Sequence, residues 1–289
     1  MALLQSIRSK LLARSAALIV VLAMGTASLF AQTPTATYRG FSIYEQGRAS
    51  TSDSGQFAVI DTDLGYDITK HVGMDIGVPV YFIRPTLAGQ VHQWNNQIGD
   101  PYLDVRFTAD NHIMNYATII TTSIPARSTG AFSTGHVGID WFNHFDHPIS
   151  RFRPFVNAGV ANGIINTSQL SMSQPFRLVS LLRTSGLIGE AEGGTDFKVW
   201  HSLRVGSSFY ALEPSGTQTL AGQPVVNSTI TPTAALLTHD RGYSAWVRLL
   251  SSRFITTQVG YNHSIKLDQD AATVTIGFDV TRMLGKGPH

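Results

Sequence analysis

The sequence predicts an all-β fold: an antiparallel up-and-down barrel of about twelve strands that crosses a membrane, following an N-terminal signal peptide. Three observations carry that expectation. Apolar residues recur at every second position over stretches of about ten residues. Charged residues make up 14% of the 289-residue chain, against about 25% in ordinary soluble domains. The links between strands alternate between long and short.

Arg8, Lys10 and Arg14 precede the apolar run Ala16–Met24, and "GTASLFA" then leads to the small residue Ala31 at the cleavage point. A positive start, a short apolar stretch and a small-residue exit make a secretory signal peptide over 1–31. The run is too short for a spanning helix, which needs about 20 residues. The barrel domain is then 32–289. Without Arg8, Lys10 and Arg14, 18 basic residues stand against 19 acidic ones. No basic patch remains to bind nucleic acid. With no cysteine, a disulfide framework and a thiolate metal site are excluded.

Strands are expected at 39–48, 56–66, 71–82, 99–109, 114–124, 135–145, 153–164, 186–197, 201–212, 243–251, 254–264 and 272–282. The third shows the pattern most clearly. Val72, Met74, Ile76, Val78, Val80 and Phe82 alternate with His71, Gly73, Asp75, Gly77, Pro79 and Tyr81. Period two puts these sets on opposite faces. In a membrane barrel the apolar set faces lipid and the polar set faces inward. Pro79, which has no N–H to donate, marks a bulge or the point where the strand leaves its ladder. In the fourth, Leu103, Val105 and Phe107 oppose Tyr102, Asp104 and Arg106. In the sixth, Val137, Ile139 and Trp141 oppose His136, Gly138 and Asp140. In the ninth, Leu203, Val205, Phe209 and Ala211 oppose Arg204, Gly206, Ser208 and Tyr210. In the last, Ala272, Val274, Ile276, Phe278 and Val280 oppose Thr273, Thr275, Gly277 and Asp279. The strands near 114–124 and 186–197 announce no face.

Long links are expected at 49–55, 83–98, 125–134, 165–185, 213–242 and 265–271. Short ones are expected at 67–70, 110–113, 146–152, 198–200 and 252–253. Sorting of this kind belongs to outer-membrane barrels, with tight turns in the periplasm and long loops outside. Aromatics near strand ends, among them Phe41, Phe57, Tyr66, Phe82, Trp141, Phe197, Trp200, Phe209, Tyr243, Phe254 and Tyr261, fit interfacial girdles. In 165–185, Ser173 can cap a short helix with Pro175 in its first turn and Phe176, Val179 and Leu182 on one face, as a plug or a lip. The segment 213–242 reads as an external loop.

The stretches "QIGDPYLDVRF" (97–107), "TTSIPARSTG" (121–130), "STGHVGIDWF" (133–142) and "RFRPFVNAGVANG" (151–163) resemble a family of bacterial outer-membrane barrels. That family is described as transporters and as the "meta-pathway of phenol degradation" group. Its characteristic Gly-Asp before an alternating strand is matched by Gly99 and Asp100. The resemblance covers about a quarter of the chain and implies uptake of hydrophobic or aromatic small molecules. It carries over no solute-binding residue. Outer-membrane barrels generally finish on an aromatic residue that the insertion machinery reads. Here the chain runs past Phe278 to "TRMLGKGPH" at 281–289.

Alternation turns Asp61, Asp63, Asp75, Asp104, Asp140, Glu190, Glu192, Asp196 and Asp279 inward, with Arg106, Arg204 and Arg248. These are the candidate lumen-lining residues, either of a channel or of an ion-pair network that braces a narrow barrel. Expected partners are outer-membrane lipid, the barrel-insertion machinery and an unidentified small solute. No catalytic residue, cofactor or metal ligand is assigned. His263 and Ser264 are adjacent and point to opposite faces, so they do not pair as base and nucleophile. His144, Asp146 and His147 are of metal-ligating types, but their spacing reads as a hydrogen-bonded turn. Passive passage of small molecules through the outer membrane is the expected function. A non-transporting surface barrel and a soluble periplasmic β-sandwich are the alternatives.

Overall fold

Backbone pairing runs round a closed ring. The computed structural model describes residues 40–52, 55–87, 90–91, 93–111, 113–125, 137–162, 184–220, 240–250, 255–265 and 269–280. The expected signal peptide at 1–31 and the helix around Ser173 and Pro175 lie outside them, as does 221–239.

The strands are β1 (Gly40–Ser52), β2 (Gly55–Asp67), β3 (Val72–Leu87), β4 (Gln90–Val91), β5 (Asn95–Ile98), β6 (Tyr102–Asp110), β7 (Asn115–Ser123), β8 (Gly138–Asp146), β9 (Phe152–Ala161), β10 (Thr184–Lys198), β11 (Leu203–Leu220), β12 (Asp240–Leu250), β13 (Ile255–Ser264) and β14 (Gln269–Asp279). All but β4 and β5 form the ring. Each pairs antiparallel with its neighbours, β3 passes to β6, and β1 closes on β14 from Tyr44↔Asp279 to Ser52↔Ala271. This is an up-and-down barrel of twelve strands, near the expected positions. A closed ring leaves no edge, and so no unpaired row of backbone groups. The β-sandwich alternative does not form.

The polarity is inverted relative to a soluble protein. In β3, Asp75 is 1% exposed while Ile76 beside it is 56% exposed. In β6, Tyr102, Asp104 and Arg106 are buried and Leu103, Val105 and Phe107 exposed; in β8, Asp140 is buried and Ile139 and Trp141 exposed. Such a surface suits hydrocarbon, not water. Phe41, Tyr66, Phe197 and Trp200 stand outward toward the short-turn end. Trp141, Phe209, Tyr243 and Tyr261 stand outward toward the other. Val274, outward by register, is covered and 4% exposed.

The two strands without a legible face are explained by their neighbours. In β7 the inward side carries Ala117 and Ile119 as well as Thr121 and Ser123. Ile119 is paired with Phe142, which is fully buried. A small apolar nucleus inside the wall therefore breaks the alternation. In β10 the inward Ile188 does the same beside Glu190 and Glu192.

Two expected long links are hairpin arms instead. Pairing of β1 with β2 continues to Ser52↔Gly55, and that of β13 with β14 to Ser264↔Gln269. The described residues of 49–55 are therefore strand, and β14 already begins at Gln269 within 265–271. Of 213–242, β11 takes the first part to Leu220 and β12 begins at Asp240. Residues 83–98 hold the end of β3 with β4 and β5. These arms lack apolar alternation, yet backbone hydrogen bonds join them as well as any others. Pro79 sits where the free side of β3 changes partner. Pairing with β6 ends at Gly77↔Tyr102 and pairing with β5 begins at Val80↔Ile98. Between them only the Pro79 carbonyl is used, accepting from Gly99 N–H at 2.8 Å, so the missing N–H is not needed there.

Candidate functional site

The candidate site is the inner wall. Strand alternation brings all the expected lining residues to it. Asp61, Asp63, Asp75, Asp104, Arg106, Asp140, Glu192, Asp196 and Asp279 are buried, and Glu190, Arg204 and Arg248 are half-buried. The short connections from β2 to β3, β6 to β7, β8 to β9 and β10 to β11 define one end of the barrel. The wall is built differently near that end and farther from it.

Near the short turns, carboxylates meet arginines. Asp67 accepts from Arg106 Nη2 at 2.9 Å, with Asp75 3.7 Å from the same nitrogen. Asp146 takes both Nε and Nη2 of Arg153 at 2.7 Å. Its oxygens also receive Asn115 Nδ2 at 2.9 Å and contact His144 Nε2 at 3.0 Å. Asn157 Oδ1 lies 2.6 Å from His144 Nδ1, and Asn157 Nδ2 donates to Glu192 at 2.6 Å. Asp196 pairs with Arg204 at 2.8 Å and with Arg248 at 3.8 Å, and Arg248 Nε donates to Gln258 at 3.0 Å. Bidentate, charge-assisted pairs of this kind hold their geometry tightly. They also settle the roles of His144 and Asp146, which work in this bracing chain. Among the described residues no group of three is arranged to hold a metal ion.

Farther from those turns the wall is acidic. One register row runs Gly65↔Asp75↔Asp104↔Thr121↔Asp140 across β2, β3, β6, β7 and β8. The next row runs Tyr44↔Asp63↔Gly77↔Tyr102. The Tyr102 hydroxyl contacts Asp61 at 2.9 Å and also Asp63. It reaches them by lying over Gly77, where a Cβ would collide with its ring. Trp246 lies in the same way over Gly206, and its ring meets that of Phe155, 6.1 Å away, across β10 and β11.

Several of these residues went unmarked in the sequence reading. Ser42, Gln46 and Arg48 are buried on the inward face of β1, and their period of two was the available signal. Asp67, Arg153, Trp246 and Gln258 gave less. Their partners stand on other strands, far away in the chain. On the outer wall, His263 and Ser264 do point apart. Ser264 is buried, while His263 Nδ1 lies 2.8 Å from Asp270, which also receives the Tyr261 hydroxyl at 2.5 Å.

No protein-family model matches the chain, and no curated protein does. Solved structures do match. A COG4313 outer membrane channel from Pseudomonas putida F1 superposes with a TM-score of 0.55 at 8% identity, over 84% of this chain and 97% of that one. The likeness is one of fold. A NanC porin superposes at 0.49 with 6% identity, over 81% and 99% of the two chains. A KdgM porin superposes at 0.48 with 7% identity, over 82% and 98%. The chain thus shares the β-barrel fold of the first of these, and its function must be argued from its own side chains.

Proposed function

We propose that the protein is an outer-membrane channel that lets small molecules pass without chemical change. The observation that carries this reading is the inverted polarity: a closed barrel with carboxylates and arginines inside and an apolar belt outside. A cleaved signal peptide over 1–31 would deliver it across the inner membrane, and the insertion machinery would read the end of β14 near Phe278. Short turns would then face the periplasm. Its partners would be outer-membrane lipid and the passing solute, with no nucleic acid. The lining would be formed by the inward charged residues, Asp104, Asp140, Glu190 and Glu192 among them.

The finer reading, passage of aromatic or hydrophobic solutes, follows from the resemblance to the phenol meta-pathway group. Inward Tyr102, Tyr210 and Trp246 are the side chains that favour it. Swelling of liposomes in glucose against a phenyl glucoside separates the two. Faster entry of the smaller glucose means simple sieving, and preferential entry of the larger aromatic sugar means recognition.

A second reading is a braced barrel without transport. The ion pairs at the short turns and the Phe155–Trp246 contact inside favour it. Membrane fractionation, gel mobility with and without heating, and planar-bilayer conductance test both readings. Outer-membrane recovery with a heat-dependent shift and discrete openings is expected. A folded barrel that stays electrically silent would leave the braced reading standing.

A further inference from the structure

Asp140 raises a question that the fold does not answer. It is 3% exposed, and its Oδ1 has no hydrogen-bond partner among the described residues. The charged groups that act on it are Glu190 and Asp104, both acidic. Asp104 is as deeply buried. It accepts from Thr121, but its Oδ1 also lacks a partner among the described residues. Arg106, two residues along β6, also acts on Asp104, but its hydrogen bond goes to Asp67, with Asp75 3.7 Å away. Clustered carboxylates out of water are costly unless something positive comes to them.

The spacing says what kind of ion fits. Asp104 and Asp140 are separated by Thr121 on β7, two strand spacings or about 10 Å. That is too wide for one bare ion to touch both. No group of three described residues is arranged to chelate a metal. A cation that keeps part of its water can rest on Asp104, pass the Thr121 hydroxyl and rest on Asp140. Several weak sites in series permit both entry and exit.

We propose that Asp104, Thr121 and Asp140, with Glu190 across β9, form a way-station for small monovalent cations and make the channel cation-selective. This rests on the passage reading above. The inward arginines stand against other carboxylates, Arg106 with Asp67 and Asp75, Arg153 with Asp146, Arg204 and Arg248 together with Asp196, and Arg48 beside Asp61.

The test is the reversal potential of the full chain in a planar bilayer under a KCl gradient. Native channels should show the sign of K⁺ preference. Asp140→Asn should move the potential toward zero, and Asp104→Asn/Asp140→Asn should move it further, with openings retained. Glu45→Gln removes a charge from the outer wall, where Glu45 accepts from Thr62 at 2.8 Å, and should leave the potential unchanged. The heat-dependent gel shift verifies that each variant is folded. Unselective or Cl⁻-preferring native openings, or an unmoved potential in the folded double variant, overturn the cation site and leave passage intact. A folded native chain without openings overturns both.

Discussion

Asp146 and Asp140 lie on one strand, face the same interior and are equally buried, each 3% exposed. Six residues apart, they are held in opposite ways. Asp146 has Arg153, His144 and Asn115 around it. Asp140 has two acidic neighbours and an oxygen without a partner among the described residues. Burial therefore does not reveal what a carboxylate does in this wall. Pairing does. Where the charge is neutralised by a fixed partner, it braces neighbouring strands. Where it is not, the carboxylate braces no neighbouring strand and is left for the cation way-station proposed above.

Four substitutions sharpen or break that contrast, each read by urea unfolding of protein folded into lipid vesicles. Asp146→Ala should cost the most, about 3–5 kcal/mol, because it strands a guanidinium against the inner wall. Ile76→Arg should follow at about 2–4 kcal/mol. Ile76 lies between Leu64 and Leu103 on the exposed apolar face, one residue from an aspartate that the inner face holds. Equal stability of Ile76→Arg and the native chain would sink the assignment of faces. Gly77→Ala should cost about 1–3 kcal/mol by pushing Tyr102 off Gly77 and away from Asp63. Asp140→Asn should cost least, under about 1 kcal/mol in either direction, since it removes a buried charge and leaves no partner stranded. If Asp140→Asn proved as damaging as Asp146→Ala, the two levels of the wall would be one bracing device.

The outer wall was the legible part. A wall that faces hydrocarbon favours apolar side chains outward, and Met74, Ile76 and Val78 spell out their face locally. Inward carboxylates follow by alternation, which is how Asp61, Asp63, Asp75, Asp104 and Asp140 were found. Alternation failed where the interior itself was apolar, at Ile119, Phe142 and Ile188, because two apolar faces carry no period. Strand ends were misjudged at 49–55 and 265–271 for a related reason. Beyond the apolar belt, backbone pairing continues without imposing a side-chain pattern.

Local chemistry along the chain decides the crossing strands, their facing and the acidic bias of the interior, since each needs only the period of two and the polarity of what lies on either side. Tertiary structure decides which charges meet. Asp67 finds Arg106 39 residues away, and Tyr102 crosses Gly77 to reach Asp61 and Asp63. Those meetings depend on the register between strands, and closing the ring sets every register at once.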